Sequence, residues 1–78
     1  MRSRSDAEFK YEIKKSLGVL STSRSGWTKE VNIISWNGRP EKVDIREWSP
    51  DHDKMSRGLS LTTDEMNELV NIWERKSI

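Results

Sequence analysis

Apolar and polar positions alternate along most of this chain and then change period near its end. Phe9, Tyr11 and Ile13, followed by Leu17 and Val19, recur with polar residues mostly between them, the period-2 signature of a half-buried strand, although the central "EIKKSL" also tolerates a helix. "STSRSG", 21 to 26, is a cluster of turn formers, and "WTKEVNIISW", 27 to 36, is rich in β-branched and aromatic residues and predicts a second strand. Asn37-Gly38 is a strong hairpin signal because both residues accept positive φ, and Pro40, which has no N–H to donate, belongs at a strand's beginning or edge. The third strand then runs from about 41 to 48. Ser49-Pro50-Asp51 opens a loop reaching Gly58, and "LSL", 59 to 61, leaves room for a short fourth strand. Beyond it Met66, Leu69, Val70 and Trp73 recur at i, i+3, i+4 and i+7, one apolar stripe on a helix of about 63 to 76. Thr62 with Glu65 three residues later forms a capping box, and Asp64 suits the positive first turn. The predicted organisation is α+β: four antiparallel strands followed by one C-terminal helix (β-β-β-β-α).

Residues 1 to 8, "MRSRSDAE", lack apolar periodicity and read as a disordered arm, leaving 9 to 78 as a single domain. With 78 residues in all, the core is thin. No cysteine is present to add disulfides or thiolate metal sites, so oligomerisation is the expected supplement. One helix with one stripe is a poor lid for a four-stranded sheet. A homodimer formed through the helices, burying Met66, Leu69, Val70 and Trp73, is the expectation, with the opposite sheet faces left for function. The absence of cysteine and of any long apolar run fits a cytoplasmic protein.

The chain is 35% charged, yet its net charge is only +1, so bulk electrostatics supplies no pull towards an anion and any such affinity must be local. Four tryptophans, Trp27, Trp36, Trp48 and Trp73, exceed what a thin core needs, and some should reach the surface. On the third strand Lys42, Asp44, Arg46 and Trp48 share one face, opposite Val43 and Ile45. The hairpin brings Trp36, Asn37, Arg39 and Lys42 to one end of the sheet, although the adjacent Ile33 and Ile34 break strict alternation, so parity alone does not place Trp36. Rings interleaved with Arg and Lys suit an unpaired nucleic acid strand, each ring offering a base a flat surface and each cation neutralising a phosphate. Stacking is worth roughly 1–3 kcal/mol per base, enough for two or three rings to drive binding without a large net charge.

The bland readings are concrete too: strand tryptophans are usually buried, and Arg46 beside Asp44 and Glu47 reads equally as a solvated ion pair. His52 between Asp51 and Asp53 reads as a solvated loop, because consecutive residues rarely converge on one metal and no second histidine or cysteine completes a ligand set. No nucleophile motif or Gly-rich phosphate loop occurs, so neither an enzyme nor a cofactor is expected.

The segments "KVDIREW", "MSRGLSL" and "TTDEM", with "GWTKEVNIISWNG" and "SPDHDKM", resemble the transcriptional positive cofactor four family, in particular its short bacterial branch, from about Phe9 to the end. The resemblance implies a β-β-β-β-α fold that dimerises through its helices, with curved sheets offering grooves to single-stranded DNA, largely without sequence preference, in transcription or in DNA replication and repair. Carried across by motif, Trp36 is a stacking aromatic, Arg39 a basic hairpin residue, and Arg46 and Trp48 lie on the basic-aromatic strand. Arg57 matches the basic residue before the fourth strand, and Lys29 a cation on the second. Eukaryotic members have an aromatic where this chain has Ser49, so one platform is either missing or supplied by Trp27. The hairpin is one residue longer through Pro40, and the long regulatory tail is absent, so coactivator activity does not carry over. The residues leave two rivals open: RNA as the ligand, and a protein-interaction module anchored on exposed Trp36 and Trp48 for a transcription or replication partner.

Overall fold

The computed structural model describes residues 10–76, and the expected arm at 1 to 8 lies outside them. Four strands, β1 (Tyr11–Thr22), β2 (Thr28–Trp36), β3 (Lys42–Trp48) and β4 (Met55–Leu61), form one antiparallel sheet in the order β1-β2-β3-β4, followed by helix α1 (Thr63–Glu74). Each strand pairs with its neighbour in sequence, so three hairpins build the whole sheet. The β2–β3 turn is set by Asn37 at φ 51° and Gly38 at φ 74°, with the Arg39 N–H donating to the Trp36 carbonyl at 2.9 Å. No helix among the described residues is long and apolar enough to cross a membrane.

The β2–β3 register runs unbroken from Thr28↔Trp48 to Ile34↔Lys42, which settles the orientation that parity left open. Directly paired residues share a face. Glu30, Asn32, Ile34 and Trp36 therefore lie on the side of Lys42, Asp44, Arg46 and Trp48, while Val31, Ile33, Val43 and Ile45 lie on the other. Ile33 and Ile34 adjoin where the sheet is apolar on both faces, with the β2–β3 pairing unbroken and the irregularity opposite them taken up by β1 between Ile13 and Lys15. The first face is concave. Tyr11 pairs with Trp36 and Trp48 pairs with Thr28 at the opposite end of β2. Eight residues of flat strand would separate those ends by roughly 26 Å. Yet the Tyr11 ring lies 5.5 Å from Trp36 and 5.7 Å from Trp48.

Three expectations are corrected. The first strand carries no buried face: Leu17, Val19 and Leu20 are 49%, 58% and 61% exposed. Register shifts at Ile13/Lys15, Ser16/Gly18 and Val19/Ser21 break the alternation, and pairing continues through Ser21 and Thr22, which had read as turn. The fourth strand begins at Met55, four residues before the predicted "LSL", so Arg57 and Gly58 belong to the strand and not to the loop. Gly58 lies opposite Arg46, where an added Cβ would stand 2.5 Å from the Arg46 Cβ; a residue that looks like a loop signal is there to admit a side chain. Finally, α1 stops at Glu74. Its start follows the prediction, with Thr62 and Glu65 completing the reciprocal capping box.

The interior is small and half polar. Ile34, Val43 and Trp48 are its buried apolar side chains among the described residues, accompanied by buried Glu30, Asn32, Asp44 and Ser49. Among the described residues the helix touches only β3 and β4, and its stripe is largely uncovered in the single chain: Leu69 is 43% exposed, Val70 41% and Trp73 63%. Lys76 Nζ lies 4.3 Å from the centre of the Trp73 ring.

Candidate nucleic-acid interface

At one end of the concave face Trp36, Arg39, Pro40, Lys42, Arg46 and Ser60 line an open cleft of about 280 Å³. The turn supplies Arg39, held by the Ser35 hydroxyl donating to its carbonyl at 2.7 Å, and β3 supplies Lys42 and Arg46 from alternate positions. Arg46 is the most constrained side chain of the group. Its Nε and Nη2 donate to the two oxygens of Asp44 at 2.6 and 2.7 Å, and Nη1 donates to the Ser56 carbonyl at 3.3 Å. The Ser60 hydroxyl donates to the same carboxylate at 3.1 Å. With the Asp44 side chain fully buried and that of Arg46 only 12% exposed, this is an internal ion pair and not the solvated one that sequence allowed. The Arg46 guanidinium carbon lies 4.7 Å from the centre of the Trp36 ring, so the cation covers one indole face.

The other end of the same face is closed. Trp48 is fully buried, so it is not the exposed base platform expected from its position on β3. The cause is His52, whose ring stacks on the indole at 4.4 Å with an interplanar angle of 3°. His52 takes φ 63°, and its N–H donates to the Ser49 carbonyl at 2.8 Å, which folds the loop back over the strand end. Its Nε2 sits 3.0 Å from both oxygens of Glu30. Burial alone would raise the Glu30 pKa, but hydrogen bonds from the Thr28 hydroxyl, His52 and Asn32 outweigh it and hold the carboxyl below the ordinary glutamate range. Asp51 is likewise lowered, chiefly by the Asp53 N–H and then by the Ser49 hydroxyl, which donate to it at 2.9 and 2.8 Å.

"DHD" is therefore more than a solvated loop. It is a clasp. Sequence reasoning missed His52; the signal was Ser49-Pro50-Asp51, a turn that returns the next residue over the tryptophan just before it.

The remaining candidates sit elsewhere. Lys29 and Arg57, both exposed, line a second cleft of about 350 Å³ with Ile45, Glu47 and Ser56, and it meets the first at Arg46, which lines both. Lys29 pairs in register with Glu47, on the opposite face from Trp36. Trp27 lies at the turn before β2, half-buried, its N–H donating to the Ser23 hydroxyl at 3.2 Å, and it lines neither cleft. The fold thus gathers Trp36, Arg39, Lys42 and Arg46 at one place, adds Lys29 and Arg57 beyond a shared wall, leaves Trp27 apart and seals Trp48 inside. Ser60 and Tyr11 join the site without having been singled out.

Similar chains extend this picture. An uncharacterized protein of Treponema pallidum (strain Nichols) is 49% identical to this chain over 71 residues, which cover 91% of this chain and 84% of that one. The family described as Transcriptional Coactivator p15 (PC4) matches residues 23–72, from the turn before β2 through most of α1, and so includes the whole of the cleft lining. With an antiparallel four-stranded sheet, a capped C-terminal helix and a cationic aromatic cleft inside the matched span, the chain belongs to the Transcriptional Coactivator p15 (PC4) family of nucleic-acid-binding transcription cofactors.

Proposed function

We propose that this protein is a single-stranded DNA-binding protein, not an enzyme, that recognises unpaired strands by shape and charge with little preference for sequence, wherever duplex is opened in transcription, replication or repair. A base stacks on the half-exposed Trp36, and Arg39 and Lys42 hold the flanking phosphates. Lys29 and Arg57 supply a second cationic cleft beyond Arg46, with Lys29 on the other face of the sheet. The observation that carries this reading is the cleft itself, where a half-exposed indole and exposed Arg39 and Lys42 share one wall on a concave face. A net charge of +1 is no obstacle, because the cations are grouped where the ring is.

The working unit in this proposal is a homodimer. A single chain leaves Leu59 on β4 and Leu69, Val70, Ile72 and Trp73 on α1 exposed above a core with few buried apolar residues. Covering them with a second copy supplies the apolar burial that a chain of this length lacks.

Titration of labelled oligonucleotides tests the reading. A dT 20-mer should bind more tightly than a duplex of equal length, with Trp fluorescence quenched on binding. The log-log salt slope should become less steep by roughly 0.7 for each phosphate contact removed, as in Lys42→Gln or Arg39→Gln. Equal affinity for duplex, or an unquenched signal, rules it out, and a matched rU 20-mer decides between DNA and RNA. Sedimentation equilibrium tests the dimer, which a Leu69→Asp/Val70→Asp variant should convert to monomer.

A further inference from the structure

The cleft at Trp36 reaches the β2–β3 turn through Arg39 and Pro40, and a third cleft, of about 250 Å³, meets the same turn at Gly38, with Lys10, Tyr11, Glu12 and Ser35 as its other lining residues. Tyr11 joins the two. It pairs in register with Trp36 and so shares the concave face, and it also lines the third cleft. Its ring lies 5.5 Å from Trp36 and 5.7 Å from Trp48, but at interplanar angles of 44° and 51°, so neither indole lies flat on it, and the residue is 38% exposed. Lys10, next to it, is exposed and forms no ion pair among the described residues. Its place is fixed through the backbone: the Lys10 N–H donates to Asn37 Oδ1 at 2.8 Å, and its carbonyl accepts the Asn37 N–H at 2.7 Å. Asn37 thereby ties the start of β1 to the turn that carries Arg39. Glu12, the acid among the lining residues, has Lys14 Nζ 3.5 Å from its carboxylate. The third cleft therefore presents a ring and a cation that no carboxylate has claimed.

We propose that Lys10 and Tyr11 extend the nucleic-acid site past the turn: the base next to the one on Trp36 rests against the Tyr11 ring, and the Lys10 ammonium holds a phosphate of the same strand. The inference rests on the nucleic-acid reading above and deepens it. Successive rings with cations beside them are what an unpaired strand requires, and a ring in register with Trp36 supplies the second platform that Trp48, sealed beneath His52, does not. A tyrosine meets a base through its ring without reading the base's edge, so the extension adds affinity and no sequence preference. Both residues precede the span 23–72 that the family match covers, so this part of the site comes from the start of β1 and not from the matched elements.

Lys10→Gln is the first test, because an exposed side chain can be changed without disturbing the core. Its log-log salt slope for a dT 20-mer should be less steep than the parent's by roughly 0.7. Arg24→Gln, which alters an exposed cation on the β1–β2 turn that lines none of the three clefts, should leave the slope unchanged. Tyr11→Leu should bind the 20-mer about tenfold more weakly and Tyr11→Phe within about twofold of the parent, since stacking needs the ring and not the hydroxyl. Because Tyr11 also touches Trp48, NMR of the parent chain supplies a readout that needs no change at that position. The Lys10, Tyr11 and Gly38 amide signals should shift on adding the dT 20-mer and saturate together with the Trp36 indole N–H signal, identified by its loss in Trp36→Phe. A Lys10→Gln slope equal to the parent's, an equal change of slope in Arg24→Gln, a folded Tyr11→Leu that binds as tightly as the parent, or an indole signal that shifts while those three amides stay still would each overturn the extension and leave the function proposed above standing. If neither the indole nor the amides respond, that function fails and the extension falls with it.

Discussion

Trp36 and Trp48 lie on the same face of one curved sheet, touch the same tyrosine and have each been given a flat partner, yet one is half-exposed beside an open cleft and the other is sealed. The difference lies in the partner. Arg46 lies over one face of Trp36 and the indole stays half-exposed, whereas His52 arrives on a loop that closes over Trp48. Each partner is anchored by a buried carboxylate, Asp44 in the first case and Glu30 in the second. An aromatic on a binding face is thus not yet a binding residue. What covers it decides whether it serves the ligand or the core.

Replacing Trp48 should have the largest effect, and it should be on stability. Trp48→Ala empties the centre of the small core and is expected to cost about 3–5 kcal/mol, enough to unfold most of the protein, as chemical denaturation would show. Trp36→Ala should behave in the opposite way, remaining folded by circular dichroism while losing about 1–3 kcal/mol of affinity for a dT 20-mer. If the two variants lost stability equally, the distinction between platform and core would fail.

A smaller effect is expected at the clasp. His52→Ala removes the stack from Trp48 and should lower stability by about 1 kcal/mol, with a red shift of Trp emission as the indole meets water. The smallest concerns acid. Because the folded protein holds the Glu30 pKa below its ordinary value, its contribution is complete above the glutamate range and disappears as pH falls through the depressed folded value. Denaturation midpoints measured below about pH 4.3 should therefore fall less steeply in Glu30→Gln than in the parent chain.

Much of this was readable from local pattern. Asn37-Gly38 fixed a hairpin, Thr62 and Glu65 a helix start, and the parity of Lys42, Asp44, Arg46 and Trp48 a shared face, because each depends on residues a few positions apart. β1 and the start of β4 were harder. Three register shifts spoil a period-2 pattern without leaving a mark in composition, and Gly58 reads as a turn until the Arg46 side chain is seen to need its space. Of the site, Trp36, Arg39 and Lys42 were recognised as a group, with Arg46 on the same strand face as Lys42 and its place beside Trp36 unread. Their separation from Lys29 and Trp27 was not, since it follows from which way each strand faces.

The amino-acid order on its own determined the succession of four strands and a capped helix, the hairpin between β2 and β3, and the presence of rings and cations on one strand face, all outcomes of short-range sterics and hydrogen bonding. Only the tertiary structure decided which ring stays open and which cation is already spent. Those outcomes depend on contacts between residues far apart in the chain, such as His52 with Glu30 and Arg46 across Gly58, and no local pattern encodes whether such a contact will close.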